Sequence, residues 1–78
     1  MTADLLEQVD GVIDGSMPVE QAFGDELAAQ RPEHRRVLLA ALRSACGEDH
    51  RRRLAERGMD DDAVRASVAR TVRALLNA

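Results

Sequence analysis

Apolar and polar positions follow the 3.6-residue period of amphipathic helices along most of the chain, and no alternating run typical of a strand is present. The longest uninterrupted apolar run, Val37 to Leu42, lies in a segment that begins at Pro32 and stops at Gly47. Wound as a helix, this segment is apolar over more than half of its circumference. Such a helix is packed on several sides, so we place it at the centre of a small bundle.

Helical patterns also occupy the rest of the chain. They predict four further helices: Thr2 to Asp14 with Thr2 as its cap, Ser16 or Met17 to the link at Gln30 and Arg31, Glu48 to Arg57, and Asp60 to Asn77 with Asp60 as its cap. The third of these has few apolar residues and follows Gly47, so we predict a separate helix rather than a continuation of the central one. The prediction is an all-α fold, a single domain over residues 1–78 built as a bundle of four or five short helices, with Leu38, Leu42, Val68 and Val72 in its core.

Large apolar side chains are few for a core of this kind. The chain has 13 alanines, and Phe23 is its one aromatic residue. A domain of this size hides only about 60% of the surface that its unfolded chain exposes, so its stability is marginal. Two interpretations stay open: an ordinary monomer, and a module stabilised by a partner surface, either a second copy of the chain or another protein.

Charge is segregated along the chain, although the net charge is only −3. Residues 1–30 carry seven acids and no base, whereas residues 31–57 carry eight arginines and four acids. This polarity predicts that the N-terminal helices lie across the central segment, or that two copies meet head to tail. As the candidate interaction surface we select charged residues from both regions: Asp4, Glu7, Asp10, Asp14, Arg36, Arg43, Arg51, Arg52 and Arg53.

The arginine-rich segment 31–57 supports an alternative function, a nucleic-acid-associated regulator, because phosphate contacts require clustered Lys or Arg. Three observations make this alternative the weaker one. Arg51, Arg52 and Arg53 are consecutive and so spread around a helix. Glu48 and Asp49 precede Arg52 and Arg53 by four residues, the spacing of intrahelical ion pairs. No aromatic residue is interleaved for base stacking.

Residues that could hold a metal or perform catalysis are scarce. His34, Cys46 and His50 are the soft metal ligands of the chain, and a structural zinc site usually has four. A zinc-dependent module is therefore only a third possibility, and we expect no metal and no cofactor. We find no Gly-rich phosphate loop, no nucleophile elbow and no context that would activate a thiolate, so we expect no enzyme.

One resemblance concerns the run Phe23-Gly-Asp-Glu-Leu27, which precedes a long apolar helix and in this is similar to acyl carrier proteins. Those proteins carry an Asp-Ser-Leu-type motif at the start of that helix, and its Ser bears the prosthetic arm. Here the matching residues are Gln30-Arg31-Pro32, without a Ser. The resemblance therefore does not extend to the attachment site, and we do not assign the chain to that family.

The sequence also allows an expectation about where the protein is located and what it does. A lone Cys46 allows no disulfide within the chain, the N-terminus lacks a signal-peptide pattern, and no apolar run approaches the ~20 residues that span a bilayer. We therefore expect a cytoplasmic protein without membrane association. The leading hypothesis is a small, non-enzymatic regulatory module that binds another protein.

Overall fold

Six helices form the part of the chain that the computed structural model describes, residues 2–77, with side chains described for residues 5–77. They are α1 (Thr2–Ile13), α2 (Val19–Ala22), α3 (Gly24–Ala28), α4 (Pro32–Ala45), α5 (Glu48–Glu56) and α6 (Asp61–Leu76). Within these residues there is no strand, which confirms the all-α prediction. The side chains of Thr2, the predicted cap, and of Asp4, from the predicted surface, lie outside the described residues.

The predicted second helix is divided into α2 and α3 at Phe23. This residue leaves helical geometry, with φ −116° and ψ 29°, and its side chain is fully buried. The following Gly24 has low helix propensity, which lowers the cost of a break here. A Cβ added to Gly24 would meet no atom within 4 Å, so the glycine does not serve a close helix approach. The bundle therefore has six helices where four or five were predicted.

The central segment and the arginine-rich segment form separate helices, as predicted. Cys46 ends α4, and Gly47 is extended, with φ −71° and ψ 156°, before α5 begins. Pro32 occupies the first helical position of α4, where its missing N–H costs no hydrogen bond.

Local hydrogen bonds determine where α5 ends and where α6 begins. Gly58 has a φ of +92°, and its N–H donates to the carbonyl oxygen of Ala55 at 3.0 Å. Many helices end with such a left-handed residue, which allows hydrogen bonds to their last carbonyl groups. Asp60 then caps α6, since its Oδ1 accepts a hydrogen bond from the N–H of Ala63 at 2.8 Å.

The hydrophobic core is organised around α6, which packs against α1, α4 and α5. This helix contributes Val64, Val68, Ala69 and Val72 to the core, and Val68 and Val72 are fully buried, as predicted. The other buried residues come from the remaining helices and their ends: Leu5, Val9, Val19, Ala22, Phe23, Leu27, Leu42, Ala45 and Cys46. Together they form one cluster.

The prediction that α4 is packed on several sides is confirmed only in part, because α4 packs against α2, α3 and α6 but part of its apolar surface stays exposed. Leu42 is fully buried, but Leu38, predicted in the core, is only half-buried, and Val37 is 69% exposed. The reason is the shortage of covering elements. The helices α2 and α3 have four and five residues, and α6 covers α4 from one side only. A chain this short has too little structure to surround a long apolar helix.

Two depressions lie beside α6, one towards each of its ends. His34 near the start of α4 lines the same groove as Leu75 near the end of α6. The helix that follows α4 packs at the start of α6, where Ala55 and Val64 line a second cleft. The helices α4 and α6 are therefore antiparallel, and the two depressions are separate sites.

Candidate binding surfaces

The first candidate site is the α4–α6 groove, with a volume of about 430 Å³. Its apolar walls are Val37, Leu38, Ala41 and Leu75, and its polar lining residues are Gln30 and His34. Among the residues whose side chains are described, no Asp, Glu, Lys or Arg lines it. An apolar depression of this size that is open to solvent suits an apolar side chain or a helix from another molecule.

The end of this groove is held in place by Arg35. Its Nε donates to the carbonyl oxygen of Leu27 at 2.9 Å, and its Nη2 donates to that of Gln30 at 3.0 Å. These bonds satisfy carbonyl groups at the end of α3 and connect them to the first turns of α4. One arginine of the basic segment is thus used to fix the fold rather than displayed for a ligand.

The second candidate site is the α5–α6 cleft, about 460 Å³ in volume, between the end of α1, α5 and the start of α6. Three apolar residues line it: Ile13, Ala55 and Val64. Five charged residues line it as well: Glu48, Arg51, Arg52, Asp61 and Arg65. The cleft therefore combines an apolar surface with a concentration of charge, which distinguishes it from the groove.

The ion pairs of α5 differ from those predicted. Arg52 approaches Glu48 at 3.9 Å, as the spacing predicts, but it also approaches Asp49 at 3.6 Å. The predicted pair of Asp49 with Arg53 is absent from the described residues. The side chain of Arg52 lies over the preceding turn, where positions three and four residues earlier are both within reach.

Arg51 differs from the other two arginines of the cleft in its contacts. Its side chain is half-buried, it has no ion pair among the described residues, and its Nε is buried without a hydrogen-bond partner. Arg65, by contrast, has its Nε 2.9 Å from Asp10 Oδ1 and its Nη1 3.6 Å from Asp62 Oδ1. Among the described residues, Arg51 is thus the one cation of the cleft that forms no ion pair with an acid.

The acidic residues of the predicted surface have different local roles. Glu7 is exposed on α1, whereas Asp10 is half-buried and paired with Arg65. Asp14 accepts a hydrogen bond from the N–H of Ser16 at 2.8 Å. Hydrogen bonds from the Ser16 side chain and backbone lower the pKa of the Asp14 carboxyl below its ordinary value.

The basic residues of the predicted surface are similarly divided. Arg43 on α4 pairs with Glu20 on α2, so an acid of the N-terminal region does contact the central segment. The backbone N–H of Glu20 and, second, the Arg43 guanidinium lower the pKa of the Glu20 carboxyl. Arg36 and Arg53 are exposed. The nine predicted residues therefore lie on α1, α4 and α5 or directly after α1. Of the eight whose side chains are described, only Arg51 and Arg52 line a common site.

The possible metal ligands occupy three environments. His34 is exposed in the α4–α6 groove, His50 is half-buried on α5, and Cys46 is buried at the end of α4. Burial raises the pKa of the Cys46 thiol, although nearby Arg51 opposes this effect. Across residues 5–77, no three His, Cys, Asp or Glu side chains lie close enough together to hold a metal ion.

Both depressions include residues that sequence reasoning assigned to other roles. Val37 belongs to the apolar run that we predicted to be packed on several sides, and Ile13 and Val64 lie in segments for which we predicted only a helix. One signal for the groove is present in the sequence: the central segment has more apolar surface than its short neighbours can cover. No local signal identifies the cleft, because its residues come from three helices.

Comparison of the chain with protein-family models, with curated proteins and with solved structures gave no significant match. Within residues 2–77, no helix combines the length and the apolar character needed to cross a bilayer.

Proposed function

We propose that this protein is a small, non-enzymatic cytoplasmic module that binds another protein through the α4–α6 groove. The observation that carries the proposal is the exposure of Val37, a large apolar residue that is 69% accessible in the middle of an uncharged groove. Soluble proteins usually bury such residues or use them for binding, especially where several apolar side chains are contiguous.

The distribution of charge supports a protein partner over a nucleic acid. Within segment 31–57, Arg35 binds backbone carbonyl groups, Arg43 pairs with Glu20, and Arg52 approaches two acids. Because these three arginines already contact protein groups, they are less available to bind phosphate groups of a nucleic acid. Within residues 5–77, His34 is the one basic side chain that lines the groove.

Affinity purification from the native cell, followed by quantitative mass spectrometry, tests the proposal. The baits are the wild-type protein, Val37→Glu in the groove, and Leu6→Glu as a matched control, since Leu6 is also a large exposed apolar residue but does not line the groove. Circular dichroism must first show that the three baits are equally folded. A partner retained by wild type and Leu6→Glu but lost with Val37→Glu supports the proposal, and identical capture by all three contradicts it.

The nucleic-acid alternative has its own test. Short duplex and single-stranded probes are titrated at two salt concentrations against wild type and against a variant with Arg51, Arg52 and Arg53 replaced by Ala. We expect no binding at physiological salt. Micromolar affinity that falls steeply with salt and disappears in the triple variant would replace the protein-binding proposal.

A further inference from the structure

The α5–α6 cleft is separate from the proposed protein-binding groove and has chemistry that the proposed function does not use. Of its five charged residues, Glu48, Arg52 and Arg65 form ion pairs, whereas Arg51 and Asp61 form none among the described residues. Arg52 is close to Glu48 and Asp49, and Arg65 is close to Asp10 and Asp62. Only one cation of the cleft, Arg51, lacks an acidic partner in the described residues.

Because Arg51 is half-buried, its lack of an acidic partner costs free energy in the folded protein. The side chain is half-buried, and its Nε is removed from solvent without a hydrogen-bond acceptor. Transferring a charged group out of water without a counter-ion is unfavourable, and the cost falls when an anion completes its hydrogen bonds. The same guanidinium lines an open cleft of about 460 Å³ that a small molecule can enter.

The other lining groups restrict which anion fits. Glu48 and Asp61 also line the cleft, and their charges would repel a dianion such as a phosphate monoester. A carboxylate carries a single negative charge, and its planar pair of oxygens matches the geometry of a guanidinium. Ile13, Ala55 and Val64 supply apolar contact for a hydrocarbon group attached to it. The volume lies in the range of about 300–1,000 Å³ that small-ligand sites occupy.

We propose that the α5–α6 cleft is a binding site for a monocarboxylate with an apolar body, held by the Arg51 guanidinium with its hydrocarbon part against Ile13, Ala55 and Val64. The carboxylate belongs either to a free small acid or to the C-terminus of a peptide, because both present the same chemistry to the cleft. Binding at this site does not require the α4–α6 groove, so the two proposals succeed or fail independently.

Amide chemical shifts of the 15N-labelled protein, recorded by nuclear magnetic resonance during titration, test the proposal. The probes are hexanoate as a free acid, N-acetyl-alanyl-leucine as a peptide C-terminus, and the amide of that dipeptide as an uncharged control. We expect saturable shifts at Ile13, Arg51, Ala55 and Val64 with at least one acid, and none with the amide. Tighter binding of hexanoate would identify a free acid as the ligand class, and tighter binding of the dipeptide would identify a peptide terminus.

Two variants test whether the chemical-shift changes depend on the Arg51 guanidinium. Arg51→Gln should weaken acid binding roughly tenfold or more, the effect of losing a charge-assisted hydrogen bond. Arg53→Gln is the matched control, because Arg53 is exposed on the same helix and does not line the cleft, and it should bind like wild type. Absence of saturable shifts at millimolar acid, equal shifts with the amide, or equal affinity of wild type and Arg51→Gln would overturn the proposal. The comparison of acid with amide needs only the wild-type protein, so it decides the question even if Arg51→Gln fails to fold.

Discussion

Arg65 on α6 places its Nε 2.9 Å from Asp10 Oδ1 on α1, and this carboxylate oxygen is buried and accepts no hydrogen bond from the described residues, although both side chains are 45% exposed. The pair joins the acidic first helix to the helix at the centre of the core. We expect a double-mutant cycle with Asp10→Ala and Arg65→Ala to give a coupling free energy of about 0.2–1 kcal/mol, as for other partly exposed pairs. Urea unfolding at low and high salt measures it, and the coupling should fall as salt screens the charges. A coupling of zero at low salt would contradict the assignment.

Leu42 and Val37 lie on the same helix but differ in burial, at 0% and 69% exposure. Leu42→Ala should lower the free energy of unfolding by about 2–5 kcal/mol, because it leaves a cavity in the core. Val37→Ala should change it by no more than about 0.5 kcal/mol, since it removes atoms that are mostly in solvent. Chemical denaturation of the two variants checks this. Similar losses in both would mean that the outer face of α4 is covered in solution.

Gly58 and Gly24 should respond in opposite directions to replacement by alanine. Gly58→Ala should destabilise the protein by about 1–2 kcal/mol, because the φ of +92° at this position is unfavourable for a residue with a Cβ. Gly24→Ala should stabilise it by about 0.4–1 kcal/mol, because the added Cβ meets no atom within 4 Å and the unfolded chain loses freedom. Thermal melts followed by circular dichroism measure both. A loss of stability with Gly24→Ala would show that the break after Phe23 requires glycine.

Glu20 should make stability depend on pH in the acid range, because its own backbone N–H and, second, the Arg43 guanidinium favour its ionised form. The fold lowers the pKa of Glu20 from its ordinary value of 4.5, so its ionised form is favoured in the folded protein. The resulting stability is present above the ordinary pKa and is lost as the pH falls through the lower, folded-state pKa. The Tm of Glu20→Gln should therefore lie below that of wild type at neutral pH, and the difference should shrink in acid. When Arg43→Gln is introduced as well, the Tm difference that Glu20→Gln causes at neutral pH should become smaller. A Tm difference that does not change with pH would contradict the prediction.

Local chemistry in the sequence was enough to predict the helices and most of their ends. Pro32 begins α4 and Asp60 caps α6, as expected from the sequence, and Gly58 follows α5 with a positive φ. These features depend on the backbone geometry and hydrogen bonds of residues within one or two turns of each other. The same locality explains why the all-α fold was predictable from hydrophobic periodicity.

Tertiary packing decided which apolar residues are covered and which charges pair between helices. Phe23 breaks the second helix at a position where its ring is fully buried, Val37 stays exposed because the short neighbouring helices do not cover it, and Arg65 on α6 pairs with Asp10 on α1. Burial and ion pairing between helices depend on groups that are far apart in the sequence, so a local pattern cannot specify them. For the same reason, the cleft formed by three helices, in which Arg51 has no ion pair among the described residues, became visible only in the folded chain.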